Sequence, residues 1–199
     1  MQEDHSCVIM RRWLDRTRIV LILLGSLSGF ATALPAGAQT ERESAALDAL
    51  FDQLRTAPDP AAAQVITDQI WIYWTTPADP RLAARMQDVL ALRVNADFPA
   101  VIALLDEIIA EHPTYAEAWN QRATIYYLLR DFERSMADIE KVLELEPRHF
   151  GALAGRAVMY KEQGRDDLAL KDIIAALAIH PFLAERAMFP ELLEDAIAI

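Results

Sequence analysis

The sequence predicts an all-α protein built as a stacked array of helical hairpins, an α-solenoid, with a degenerate pair of helices before the regular repeats and a short capping helix after them. Three observations predict it. Pro113, Pro147 and Pro181 recur every 34 residues, each after an apolar stretch of helical period, where a residue without an N–H stops a helix. The stretch 116–149 reads as two helices and a turn. Trp119, Ala123, Tyr126 and Tyr127 share a helical spacing in the first, Ile139, Val142, Leu143 and Leu145 fall in the second, and Arg130-Asp131 lies between. A shift of 34 residues brings Leu153, Ala157, Tyr160, Gly164, Ala169, Ile173, Ala176 and Leu177 into the same positions downstream, and Val89, Leu92, Phe98, Leu105, Ile108 and Ile109 upstream. A fixed period of this length marks stacked repeats.

Taken in order, residues 1–38 have the layout of a secretory signal peptide. Arg11, Arg12, Arg16 and Arg18 precede an apolar run from Ile19 to Leu24 that continues patchily to Leu34, and Ala36-Gly37-Ala38 offers a small-x-small cleavage site before Gln39. The run falls short of the roughly 20 apolar residues that span a bilayer. The alternative is an uncleaved signal holding an assembly or secretion factor at the inner membrane. Arg11-Arg12 also has the form of a twin-arginine signal. After cleavage, 15 basic and 27 acidic side chains remain, a formal charge of -12. That acidity argues against nucleic acid and anionic membrane surfaces as partners, leaving the signal segment as the only membrane contact expected. Cys7 is the only cysteine, so the mature chain has neither disulfides nor thiolate metal sites.

A short polar leader, Gln39–Arg42, is expected to open the 39–81 segment. A degenerate hairpin follows, with Leu47, Leu50, Phe51 and Leu54 on one face of its first helix and Val65, Ile66, Ile70, Trp71 and Trp74 on a second helix from Ala61 to Trp74. The aromatic cluster Trp71, Tyr73 and Trp74 is expected to cover one side of the array; a ligand-stacking platform is the alternative. Three repeats occupy 82–183, divided 82–115, 116–149 and 150–183. In 184–199, Pro190 suits the first turn of a capping helix whose apolar face is Leu192, Leu193, Ala196 and Ile197. Its apolar ending leaves open a dimer contact or a partner-binding tail.

On these residues the chain resembles the tetratricopeptide repeat family, whose pattern wants a large residue at repeat position 4, small residues at 8 and 20, Tyr at 11 and Pro at 32. Here those positions hold Trp119 and Leu153, Ala123 and Ala157, Ser135 and Ala169, Tyr126 and Tyr160, then Pro147 and Pro181. The chain departs at position 7, Arg122 and Arg156 instead of Leu, and at position 24, Ile139 and Ile173 instead of an aromatic. The repeat from Leu82 to Tyr115 is weaker, with Arg85 and Asp88 at positions where apolar residues are expected.

The resemblance implies a concave groove lined by the first helix of each repeat, used for recognition. The family's groove positions carry over to Arg93, Asn120, Gln121, Thr124, Tyr127 and Lys161, expected to bind a peptide or protein partner. Asn120 and Gln121 can donate to and accept from a peptide backbone, and Arg93 and Lys161 can meet a carboxylate. The family's lysine and asparagine clamp for chaperone carboxyl termini is not reproduced.

No catalytic or metal motif is present: no HExxH, no Gly-rich phosphate loop, no GxSxG. His112 and His180 precede the helix-stopping prolines, where an imidazole suits the negative end of a helix. Neighbouring carboxylates such as Asp166-Asp167 point in different directions on a helix, so they form no acid and base pair. The sequence therefore predicts a non-enzymatic, exported, periplasmic adaptor with no cofactor and no metal site.

Overall fold

The computed structural model describes residues 36–190 and Leu192. The chain forms two compact units, Met1–Ala49 and Leu50–Ile199. In the first, the described part is the start of helix α1, Ala36–Arg55. This helix spans Ala36–Arg55, so Gln39–Arg42, expected as a short flexible leader, is helical. Those residues lack apolar side chains, but Gln, Glu and Arg are good helix formers, and the absence of a hydrophobic pattern does not break a helix. Residues 1–35, with the expected signal, lie outside the described residues.

In the second unit, α1 ends at Arg55, and Pro58 and Pro60 keep it from continuing. The remaining helices are α2 (Pro60–Thr75), α3 (Pro80–Val94), α4 (Phe98–Glu111), α5 (Ala116–Leu128), α6 (Phe132–Leu145), α7 (Phe150–Glu162) and α8 (Asp166–Ile179). Asp59 caps α2 by accepting from the Ala62 N–H at 2.8 Å, and Asp79 caps α3 by accepting from the Arg81 N–H at 2.8 Å. Each has Pro at the next position, where a missing N–H costs nothing. All described secondary structure is helical.

Helices α3/α4, α5/α6 and α7/α8 are the three hairpins, and their internal joints repeat at atomic detail. Ala96, Arg130 and Gly164, one period apart, are all left-handed, with φ of 56°, 63° and 70°. At each, the next residue's N–H reaches back to the carbonyl of Leu92, Tyr126 or Tyr160 at 3.2, 2.8 and 2.9 Å. This Schellman closure satisfies carbonyls that a helix end otherwise leaves open. At the hairpin ends, the amides of His112, Glu146 and His180 donate to Ile108, Val142 and Ala176, and the three prolines follow.

The core runs between neighbouring hairpins. Leu82, Met86 and Val89 of α3 pack with Val101, Leu105 and Ile108 of α4 and with Ala118 and Ile125 of α5. A second cluster joins Ala123, Ile139, Val142, Ala152 and Met159. Ala123 and Ala157 are buried, and the Ser135 hydroxyl donates to the Ala123 carbonyl at 2.8 Å, so the two helices of that repeat approach closely there.

The arginines that depart from the family pattern have partners. Arg122 grips Asp138 through Nε and Nη2 at 2.8 and 2.7 Å, and Arg156 grips Asp172 in the same way at 2.6 and 2.9 Å. Hydrogen bonding to the carboxylate raises the pKa of each guanidinium. A bidentate ion pair thus replaces apolar packing between the helices of these repeats. In the weaker first repeat, Arg85 instead reaches Glu107 at 3.0 Å and Glu111 at 2.7 Å on α4.

After α8 the chain turns through a 3₁₀ helix, Ala184–Met188, that packs on α7 and α8 and delivers Phe189 into complete burial. Leu192 is half-buried. The rest of the expected capping face, Leu193, Ala196 and Ile197, lies outside the described residues.

Candidate functional site

The first helices of the three hairpins, α3, α5 and α7, form the side of the array where recognition was expected. Its centre is Glu117, in the first turn of α5 and 1% exposed. Its carboxylate accepts from Asn120 Nδ2 at 3.3 and 3.2 Å, from Gln121 Nε2, and from His149 Nε2 at 3.1 Å. The tautomer of His149 follows from its other nitrogen. Nδ1 accepts from the Ala152 N–H at 3.1 Å, capping α7, so the ring proton sits on Nε2 and points at Glu117. Arg93 extends the network from α3, donating from Nη1 to Gln121 Oε1 at 2.5 Å. Burial lowers the pKa of this guanidinium and the Glu117 charge raises it in opposition, while its Nε has no hydrogen-bond partner. Every side chain of the network is buried.

Helix α2 lies across this side. Trp74 stacks on His149 with ring centroids 4.0 Å apart. Trp71 meets the edges of His149 and Phe150 at 5.8 and 6.1 Å. At the Trp74 carbonyl, Tyr115 donates its hydroxyl at 2.6 Å; burial and then the Glu117 charge raise the pKa of that phenol, which keeps it a donor. Toward the other end of α2, His180 Nδ1 accepts from the Phe182 N–H at 3.2 Å, so Nε2–H faces the Thr67 hydroxyl at 3.1 Å. The aromatic cluster therefore covers the array, with Trp71 and Trp74 on its first-helix side and Tyr73 turned outward, 40% exposed.

The six groove residues read from the sequence divide into two groups. Arg93, Asn120 and Gln121 belong to the buried network: the amides of Asn120 and Gln121 donate to Glu117, and Arg93 Nη1 donates to Gln121. They were expected on an open surface; a carboxylate one turn away draws their side chains inward, and α2 packs on α5. Thr124, Tyr127 and Lys161 stand farther along α5 and α7 and are half-buried. Thr124 donates to the Asn120 carbonyl at 2.9 Å, and Tyr127 donates to Glu162 Oε1 at 2.7 Å, beside Arg130, which holds Oε2 at 2.8 Å. Lys161 Nζ lies 4.7 Å from the centre of the Phe189 ring.

Sequence reasoning missed the roles of His149 and Phe189, and it gave the covering Trp74 no target. A signal existed for His149: a histidine three residues before Ala152 at a helix start can cap with Nδ1. Nothing local marked Phe189. No group of His, Cys, Asp and Glu among the described residues could hold a metal ion. No helix among them is long and apolar enough to cross a membrane.

The tetratricopeptide repeat profile matches residues 116–149, the central hairpin α5/α6. A stretch of 135 residues, 68% of this chain, is 41% identical to a TPR repeat-containing protein of Rhizobium etli and spans 66% of that relative. Sperm-associated antigen 1 of the mouse is 31% identical over 87 residues, 44% of this chain and 10% of its own length. The chain thus spans just under two thirds of the bacterial relative and a tenth of the mammalian one. The crystal structure of MamA aligns with a TM-score of 0.45 and 19% identity, over 73% of this chain and 94% of that one. With its central repeat matched and a relative 41% identical over most of its length, this chain belongs to the tetratricopeptide repeat family, whose arrays are scaffolds for protein–protein interaction.

Proposed function

We propose that this protein is an exported adaptor of a bacterial envelope that holds a protein or peptide partner on the first-helix side of its repeat array. The observation that carries the reading is the division of that side. A buried, mutually hydrogen-bonded floor of Arg93, Glu117, Asn120, Gln121 and His149 adjoins a half-buried strip of Thr124, Tyr127 and Lys161. A preorganised floor lowers the ordering cost of binding, and at the strip an incoming chain can exchange its own polar groups for the internal contacts that Thr124, Tyr127 and Lys161 make. Export is supported by the basic, apolar and small-residue segments of residues 1–38 in their proper order.

Crosslinking in intact cells followed by pull-down tests the adaptor, and mass spectrometry of the amino terminus with cell fractionation tests export. The expected result is a chain beginning at Gln39 in the periplasmic fraction, with one partner crosslinked to α5 or α7. A cytoplasmic chain retaining Trp13 would sink the export reading, and crosslinks confined to the α6 and α8 side would sink the groove.

A further inference from the structure

Repeats in a stacked array touch only their neighbours, yet α2 does not behave as one more repeat. It precedes the first regular hairpin, but Thr67 bonds His180, 113 residues on at the end of the third, while Trp74 stacks on His149 at the junction of the second and third. It runs back across the array as a bound helix would. Its inner set is Ala63, Thr67, Ile70 and Trp74, all buried, at i, i+4, i+7 and i+11; Val65, Ile72 and Tyr73 face outward, exposed. The floor beneath takes its hydrogen bonds from within the array: Asn120, Gln121 and His149 to Glu117, and Arg93 to Gln121. Lifting α2 breaks none of these and strands no donor among them. Separate caps bound the segment. Asp79 holds the start of α3 through the N–H groups of Arg81 and Leu82, independently of α2.

We infer that α2 is a removable strap seated where the partner binds. The partner that replaces it is an amphipathic helix presenting small, hydroxyl and aromatic residues in the spacing of Ala63, Thr67, Ile70 and Trp74. The inference rests on the adaptor reading and adds to it the kind of partner and the gate it must pass.

Hydrogen–deuterium exchange on the full chain, with a synthetic peptide of residues 59–79 as probe, tests it. The amides of 66–74 should open at least tenfold more often than those at the centres of α5 to α8, which stay protected meanwhile. Trp74→Ala should raise α2 opening at least tenfold further, and Thr67→Val less but in the same direction, which keeps the test alive if Trp74→Ala does not fold. The peptide should bind the loosened variant at least tenfold more tightly than the parent chain, and Ile72→Ala on the outer face should alter neither readout. Exchange of α2 in one step with α5 to α8, equal peptide binding by parent and variant, or an effect of Ile72→Ala as large as that of Trp74→Ala would each overturn the strap. Because the exchange experiment needs no natural partner, its failure leaves the adaptor reading to the crosslinking experiment.

Discussion

Trp74 lies flat on His149, with ring planes 7° from parallel, while His149 holds Glu117 through one nitrogen and the first turn of α7 through the other. One imidazole therefore joins the covering helix, the polar floor and the start of the third repeat. An aromatic contact of this kind adds about 0.5–1.5 kcal/mol beyond area burial, and a cap about 1 kcal/mol.

His149→Phe separates these contributions, because it keeps a ring for Trp74 and removes both hydrogen bonds. Glu117 would lose a buried donor, at a cost of about 1–3 kcal/mol. Urea denaturation should show a lower midpoint with an unchanged slope. A shift of less than about 0.5 kcal/mol would mean that the floor does not depend on the imidazole, since changes of that size are ordinary for surface positions.

The ion pair of Arg156 with Asp172 predicts an asymmetric mutant cycle. Asp172 is 5% exposed, so Arg156→Met leaves a buried carboxylate without its partner and should cost about 3 kcal/mol. Combining Arg156→Leu with Asp172→Leu, which restores the residue type usual at that repeat position, should recover most of the loss. Equal stability of Arg156→Met and the parent chain would show that Asp172 reaches water.

These pairs show where the fold was legible in the sequence. The hairpins and their joints follow from a local period: prolines, small residues and turns recur every 34 positions. The arginines at position 7 looked like departures because each was read alone. Read together, Arg122 with Asp138 and Arg156 with Asp172 are opposite charges at one offset, repeated one period apart, and that recurrence could have been seen. The site was less legible. Whether a groove is open depends on where a distant segment docks, and α2 carries no trace of its target. Its exposed Val65, Ile72 and Tyr73 blur the amphipathic pattern that would have set Ala63, Thr67, Ile70 and Trp74 apart as an inner face.

Ala96 is left-handed, with φ of 56°, where the third repeat has Gly164. A Cβ in this region costs about 1–2 kcal/mol, offset by the greater entropy glycine loses on folding, about 0.5–1 kcal/mol. Ala96→Gly should therefore stabilise the chain by about 0.5–1 kcal/mol in a thermal melt. Destabilisation would indicate that the alanine methyl contributes packing that outweighs its strain.

Acid should weaken two helix starts. The carboxyl of Asp131 is held below the usual range by the Arg134 guanidinium and then by the Arg134 N–H, and that of Asp79 by the N–H groups of Arg81 and Leu82. A folded pKa below the unfolded value, about 3.9, means that the folded state binds fewer protons between the two. Their contribution is present above the unfolded pKa and is lost as pH falls through the folded one. Melting temperatures measured from pH 7 down to about pH 2.5 should decline less steeply below about pH 4 for Asp131→Asn, whose amide oxygen still accepts from the Arg134 N–H. Superimposable acid limbs would remove Asp131 as a contributor.

The two groups of groove residues should respond in opposite assays. Asn120 and Gln121 donate to a carboxylate that has almost no exposure, so Asn120→Ala or Gln121→Ala withdraws a hydrogen bond from a buried charge and should cost about 1.5–3 kcal/mol of stability. Thr124 bonds within its own helix turn, and Lys161 is half-buried with Nζ 4.7 Å from the centre of the Phe189 ring. Thr124→Ala and Lys161→Gln should move the melt by less than about 0.5 kcal/mol. In partner capture the order reverses: Thr124→Ala combined with Lys161→Gln should weaken a crosslink-defined partner at least tenfold, equivalent to about 1.4 kcal/mol. Capture has to be compared at temperatures well below each variant's melt, because loss of the floor disturbs the strip beside it. If the well-folded Thr124 and Lys161 variant captures the partner as the parent does, the half-open strip adds nothing to the contact, and recognition rests on the seat beneath α2 alone or on the carboxyl-terminal residues beyond Leu192.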